Sequence, residues 1–276
     1  MKVKEYPPSL WRTLQLKSFP ATKIKGGHSQ SAAQDVVISF TSIASRLEYA
    51  HLAVRSILTQ TVTPERIVLW LGKDCEPKIP QPLLKLTGDI FSIRFCEDVG
   101  PHTKLIYSLS EFPDRRIVTC DDDLMYPRDW LENLLKAAEE FPNEIIGNQC
   151  RLITAAADGE LWPYKKWPYE QPGASHANTL PLGYAGVIYP PKSLPESTLS
   201  RELFKQLSPK ADDLWFKAMS AVNGTKSRRS PYQTSKPLPI PFSQAVSLKK
   251  TNVREDGNRE QWCKLAEHFE LTLDRA

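Results

Sequence analysis

The chain has 276 residues, 41% hydrophobic and 25% charged, which suffices for one full core and is ordinary for a globular protein. Thirty-six basic residues against 32 acidic ones leave a net charge of +4, too mild to argue for nucleic acid as a partner. No apolar run reaches the roughly 18 residues of a membrane span, no CxxC pair suggests zinc, and Lys2 and Lys4 lack the apolar core of a signal peptide. Five cysteines, Cys75, Cys96, Cys120, Cys150 and Cys263, are scattered and odd in number, against a disulfide framework. Cys96, Cys120 and Cys150 end apolar runs and read as small buried hydrophobes in a reducing compartment.

Residues 1–34 read as an N-terminal arm, with Trp11, Leu14, Leu16 and Phe19 available to pack onto the domain, residues 35–276. The spacing then predicts a strand over 35–41 and a helix over 47–58, whose Leu47, Ala50, Val54, Ile57 and Leu58 share one face. Strands follow at 67–71 and 91–96, a short helix at 104–112, and a strand at 117–120. Pro127 is placed to open a helix carrying Leu131, Leu134, Leu135 and Ala138 at i, i+3, i+4, i+7. A strand is expected at 145–150, then an aromatic, proline-rich loop over 158–181 and a strand over 183–189. A helix at 213–222 presents Trp215, Ala218, Met219 and Val222. Residues 224–242 are basic and proline-rich, and a last helix covers about 260–270. Strands alternating with helices predict an α/β fold, a twisted, mainly parallel sheet with helices on both faces.

The most informative stretch is Asp121-Asp122-Asp123. It follows the β-branched run Ile117-Val118-Thr119-Cys120, so three carboxylates sit where a buried strand ends. Adjacent carboxylates repel, and hard oxygen ligands suit Mg²⁺ or Mn²⁺ with positions left for substrate phosphate. Open α/β sheets bind ligands past the carboxyl ends of their strands. A solvated acidic turn would carry the same residues.

The order of motifs carries a resemblance. Thr41-Ser42-Ile43 with Arg46 is followed by Leu58-Thr59-Gln60-Thr61, Ile67-Val68-Leu69-Trp70-Leu71-Gly72 and Gly100-Pro101-His102-Thr103-Lys104-Leu105. Then come Asp121-Asp122-Asp123-Leu124-Met125-Tyr126-Pro127 and Asp212-Asp213-Leu214-Trp215-Phe216. Over about residues 35–270 this resembles nucleotide-sugar glycosyltransferases of the GT-A fold, Rossmann-like and single-domain. It is most similar to bacterial polysaccharide-biosynthesis transferases and to the exostosin-like C-terminal transferase domain.

The resemblance implies a metal-dependent transferase (hexosyl or N-acetylhexosaminyl) using a nucleoside diphosphate sugar, UDP first, and a glycan or lipid-linked glycan acceptor. Asp121 to Asp123 would form a DxD element, with Asp123 and Asp121 on Mn²⁺ or Mg²⁺. Thr41, Ser42, Arg46, Lys104, Asp121 and Asp122 would contact the nucleotide sugar. Asp213, beside Asp212, would act as base toward the acceptor hydroxyl, with Asp212 better suited to cap the helix. Trp162, Trp167 and Tyr184 are candidate acceptor contacts, since aromatic faces suit sugar C–H faces; pinning of the loop to the core is the plainer role. Arg228, Arg229 and Lys236 would form a lid over the diphosphate, or a solvated basic loop. Cytoplasmic placement is expected, with peripheral association at the inner membrane face compatible with the arm and basic surface. A nucleotidyltransferase, or an inactive glycan-binding module on the same fold, are the alternatives.

Overall fold

The computed structural model describes residues 2–24, 31–243 and 250–272. Helices α1 (Tyr6–Ser18) and α2 (Ala21–Ile24) precede β1 (Ser31–Thr41), α3 (Leu47–Leu58), β2 (Val62–Gly72), α4 (Gln81–Leu84) and β3 (Phe91–Cys96). There follow α5 (Thr103–Glu111), β4 (Arg116–Thr119), β5 (Leu124–Met125), α6 (Trp130–Glu140), β6 (Ile145–Gly147), β7 (Cys150–Leu152), β8 (Thr179–Pro181) and β9 (Val187–Tyr189). Helices α7 (Arg201–Leu207) and α8 (Asp212–Val222), strands β10 (Ser227–Arg229) and β11 (Leu238–Pro239), and α9 (Gly257–His268) complete the described elements.

Seven strands form one sheet in the order β10-β6-β9-β4-β1-β2-β3. Every pairing is parallel except those of β9, which runs against both β4 and β6. The period of two along β1 and β2 assigns side chains to the two faces. Val36, Ile38, Phe40, Ile67, Leu69 and Leu71 meet α3 and α6 on one side. Val37, Val68 and Trp70 meet α5, α8 and α9 on the other. Burial on both faces is what a β-branched, nearly continuous apolar strand requires. The four cysteines at 75, 96, 120 and 150 are buried and unpaired, as small hydrophobes.

Several expectations are corrected. Pro127 does not open α6; it closes the preceding turn, where the Trp130 N–H donates to its carbonyl. The run 145–150 divides between β6 and β7. Only the last three residues of 183–189 form a strand, because Gly183–Ala185 form a 3₁₀ turn that ends at Gly186 with φ +100°. Val222 is exposed, so the buried stripe of α8 stops at Met219 and Ser220. The basic stretch 224–242 contains β10, an edge strand of the main sheet, and β11, which pairs antiparallel with β5.

Of the expected arm, residues 6–18 and 21–24 are helical and pack on the domain, whereas 31–34 open β1. Leu16 of α1 is fully buried with Leu52, Ala53, Met125 and Ile240, and the Arg55 guanidinium donates to the carbonyls of Leu16 and Phe19.

Gly186 is held by its conformation and by space. An added Cβ would lie 2.6 Å from Trp130 Cε2, whose indole N–H donates to the Ala185 carbonyl at 2.6 Å. Gly186→Ala is therefore expected to destabilise the fold by about 2–4 kcal/mol, read as a lowered urea midpoint with an unchanged slope.

Candidate active site

The parallel strands β1 and β4 deliver their carboxyl ends side by side, with Ser39 paired to Thr119. Just beyond lie Ser42 and Arg46 on one strand and the acid triplet on the other. Asp122 is the buried member, 3% exposed. Its carboxylate accepts from the Ser42 hydroxyl at 2.5 Å and the Arg46 guanidinium at 2.6 Å. Asp122 is thus tied into the frame by the Ser42 hydroxyl and by one nitrogen of the Arg46 guanidinium, whose Nε is buried without a hydrogen-bond partner. Arg46 Nη1 also stands 3.6 Å from Asp123. Thr41 is occupied too, its hydroxyl donating to the Trp70 carbonyl at 2.9 Å.

Lys104 enters from the first turn of α5. Its backbone carbonyl accepts from the buried Ser39 hydroxyl, and Ser39 also contacts the Ser108 hydroxyl at 2.7 Å. The ammonium donates to Asp121 at 2.7 Å and lies 3.2 Å from Asp212. Burial opposes its charge, but Asp121, Asp212 and Asp213 hold the lysine well above its ordinary pKa. Asp213, one residue on, accepts the Gly183 N–H at 3.0 Å. Gly183 allows that approach, since a Cβ there would sit 2.7 Å from Asp213 Oδ1. The expected cap role of Asp212 is corrected: Ala211 occupies the cap and both acids lie in the first turn of α8, where the helix dipole favours negative charge.

Sequence reasoning assigned no role to Tyr126. Its hydroxyl accepts the Asp121 N–H at 2.8 Å and donates to the Tyr184 carbonyl at 3.1 Å, joining the triplet to the turn below Asp213. A tyrosine five residues after an acid gives no sequence signal of such a contact. Beneath the triplet, the Ile240 N–H donates to the Asp123 carbonyl at 2.8 Å.

The aromatic candidates separate. Trp167 is 1% exposed and its indole N–H donates to the Trp162 carbonyl, so its ring is core and unavailable to an acceptor. Trp162 is partly exposed, with the Lys166 ammonium 4.0 Å above its ring. Tyr184 is half-buried, its hydroxyl beside Tyr169. The expected basic lid is also corrected. Arg228 pairs with Glu144 at 2.7 Å and Arg229 donates to the Glu170 carbonyl, because both belong to β10.

Four carboxylates, Asp121, Asp122, Asp123 and Asp212, thus share two ion-paired cations, Arg46 and Lys104, among the described residues, and Asp213 lies beside them. Burial, then the like charges of Asp121 and Asp122, push Asp123 up to about 7. Burial and Asp212 push Asp213 up to about 8. No three His, Cys, Asp or Glu side chains among the described residues are grouped as a ready metal cage. The donor set of Asp121 and Asp123 fits instead a Mg²⁺ or Mn²⁺ completed by substrate phosphate, which needs only one or two carboxylates.

Together these elements define an α/β protein of GT-A architecture with an acid-rich site at the strand ends. The glycosyl transferase family 2 profile matches residues 37–189, more than half of the chain, and the protein belongs to that family. No curated protein matches the chain. Among solved structures it is similar to 4-diphosphocytidyl-2C-methyl-D-erythritolsynthase from Anaerococcus prevotii, 14% identical, covering 81% of this chain and 97% of that one at a TM-score of 0.46. It is also similar to TarS 1–349 of S. aureus, 13% identical, covering 88% of this chain and 73% of that one at a TM-score of 0.45. Asp212 and Asp213 lie outside the matched residues, and the tertiary fold alone brings them to the triplet.

Next to Lys104 in this wall, His102 is sealed in the core and stacks on Phe204 with ring centroids 4.3 Å apart. Burial, and secondarily Lys104, lower its pKa to about 3 from an ordinary 6.5. The neutral ring's contribution is complete above pH 6.5 and is lost as pH falls toward 3, because the unfolded chain takes up the proton first. His102→Phe is expected to flatten the fall of stability over that window by about 1.4 kcal/mol per pH unit, measured by urea unfolding at several pH values.

Proposed function

We propose that the protein is a metal-dependent glycosyltransferase that moves a hexosyl or N-acetylhexosaminyl group from a nucleoside diphosphate sugar, UDP first, to a hydroxyl of a glycan or lipid-linked glycan. The observation that carries this reading is the Lys104 ammonium, which joins Asp121 of the triplet to Asp212 of α8. In this reading that contact would bring the diphosphate end and the acceptor end of a family 2 domain to one place.

In this reading Asp121 and Asp123 would hold Mg²⁺ or Mn²⁺, which would neutralise the charge developing on the departing diphosphate. Lys104 adds a buried positive charge beside it. Asp213 takes the proton from the acceptor hydroxyl, and the oxygen attacks the anomeric carbon. The bond from that carbon to the phosphate oxygen breaks, its electron pair leaving with the nucleoside diphosphate. A single displacement of this kind inverts the anomeric centre. Gly183 positions Asp213 by its N–H, while Trp162 and Tyr184 offer apolar faces for the acceptor.

The test is a thermal-shift series with each nucleoside diphosphate, with and without Mn²⁺. One nucleotide is expected to raise the melting temperature of the parent only with metal, and Asp123→Ala to abolish the shift. No shift with any nucleotide, in folded protein, would overturn the donor site in favour of a glycan-binding module. With the donor identified, Asp213→Asn should lower kcat by about 10²–10⁴ while the metal-dependent nucleotide shift persists. An unchanged kcat would remove Asp213 from the base role.

A further inference from the structure

Helix α1 is turned inside out relative to an ordinary surface helix. Ser9, Thr13 and Leu16 face the domain: Ser9 and Leu16 are buried, and the Thr13 hydroxyl donates to the Ser9 carbonyl and stands 3.7 Å from the Met125 sulfur. Leu10, Trp11 and Leu14, three and four residues apart, share the opposite side. They are 46%, 72% and 65% exposed. A surface helix normally hides its apolar side chains and shows its polar ones. Here three large apolar side chains point outward while only Leu16 faces in, and large exposed apolar patches rimmed by charge mark interaction surfaces.

The charge around this face says what covers it. Exposed Lys2, Lys4, Lys17 and Lys23 accompany a single acid in residues 2–24, Glu5, which is spent on the Lys2 backbone N–H at 2.6 Å. A second copy of the chain docked face to face would bring these lysines against their own counterparts, which repel. A negatively charged lipid surface complements them. Lysine side chains reach back to the headgroups while their stems lie along the apolar layer. Tryptophan is the side chain that settles at such an interface, with leucines beneath it.

We propose that the outward face of α1, centred on Leu10, Trp11 and Leu14 and accompanied by Lys17 in the helix and by Lys2, Lys4 and Lys23 before and after it, docks the protein on an anionic membrane surface. The docking stands on this surface alone. Its consequence rests on the transferase reading: Leu16 packs on Met125 and Ile240, and the Ile240 N–H holds the Asp123 carbonyl. One layer of side chains therefore separates the lipid-facing helix from the acid triplet. A membrane held at α1 would present a lipid-linked acceptor to the same end of the molecule.

Flotation of the full chain with lipid vesicles tests this. Phosphatidylcholine vesicles containing about a quarter phosphatidylglycerol are compared with pure phosphatidylcholine. The parent is expected to float with the anionic vesicles and to be released by salt. Trp11→Ser/Leu14→Ser should lower the partition at least about ten-fold. Lys2→Ser/Lys4→Ser/Lys17→Ser should erase the preference for anionic lipid. These side chains are exposed, so both variants should melt like the parent. Asp123→Ala should float like the parent, so that loss of donor binding and loss of membrane binding are separate outcomes. Absence of parent binding, or equal binding by both surface variants, would overturn the proposal. So would a parent dimer in sedimentation velocity that Trp11→Ser/Leu14→Ser dissociates without any vesicle binding, which would assign the face to a second copy.

Discussion

The Lys104 ammonium is the interaction on which the site depends. A lysine so far buried is costly unless its charge is matched, and removing one partner of such a set commonly costs about 3–5 kcal/mol. Asp121 and Asp212 supply the match from two elements distant in sequence, the end of β4 and the start of α8. Ser39 supplies the rest, fixing the backbone of α5 to β1 through the Lys104 carbonyl. The indole of Trp70 in β2 adds a bond to the Ser108 hydroxyl at 2.8 Å. Three strands and two helices therefore meet around this lysine, and its charge acts on Asp123, Asp212 and Asp213.

Against that background the three consecutive aspartates do different work. Asp122 is structural: Ser42 and Arg46 satisfy it, and burial makes it the pin between β1 and β4. Asp121 and Asp123 remain partly exposed, crowded by like charge. A fold tolerates such crowding when a cation offsets it, and among the described residues two cations pair with four of these carboxylates, with Asp213 a fifth acid beside them. That imbalance matches the needs of a diphosphate-binding site, where metal and anion arrive together.

The N-terminal helices and the proline-rich segment join this frame and are not peripheral to it. Strand β11 pairs with β5 directly under the triplet, and Ile240 closes over Leu16 of α1. Proline suits β11 because a two-residue edge pairing leaves its missing N–H unneeded. The same contacts bring an outward apolar helix close to the acid triplet, so that helix face and the triplet share one end of the molecule.

Much of this was legible in the chain. Periodicity located α3 and β3 residue for residue, and the β-branched runs located the sheet, because burial on both faces leaves a continuous apolar signal. The acid triplet was legible as a strand end because the apolar run of β4 stops just before it. Local pattern could not supply what short elements owe to partners: β10 and β11 are strands only because β6 and β5 offer unpaired edges, and Arg228 and Arg229 lose their freedom with them. Nor could it divide like residues by environment. Asp122 differs from Asp121, and Trp167 from Trp162, by which way the backbone turns each side chain. The sequence by itself determined the α/β class, its sheet-forming runs and the acids available for chemistry. Only the tertiary structure decided which acid is a pin, which faces Lys104 and which side of α1 is left bare, because those depend on contacts between segments far apart in the chain.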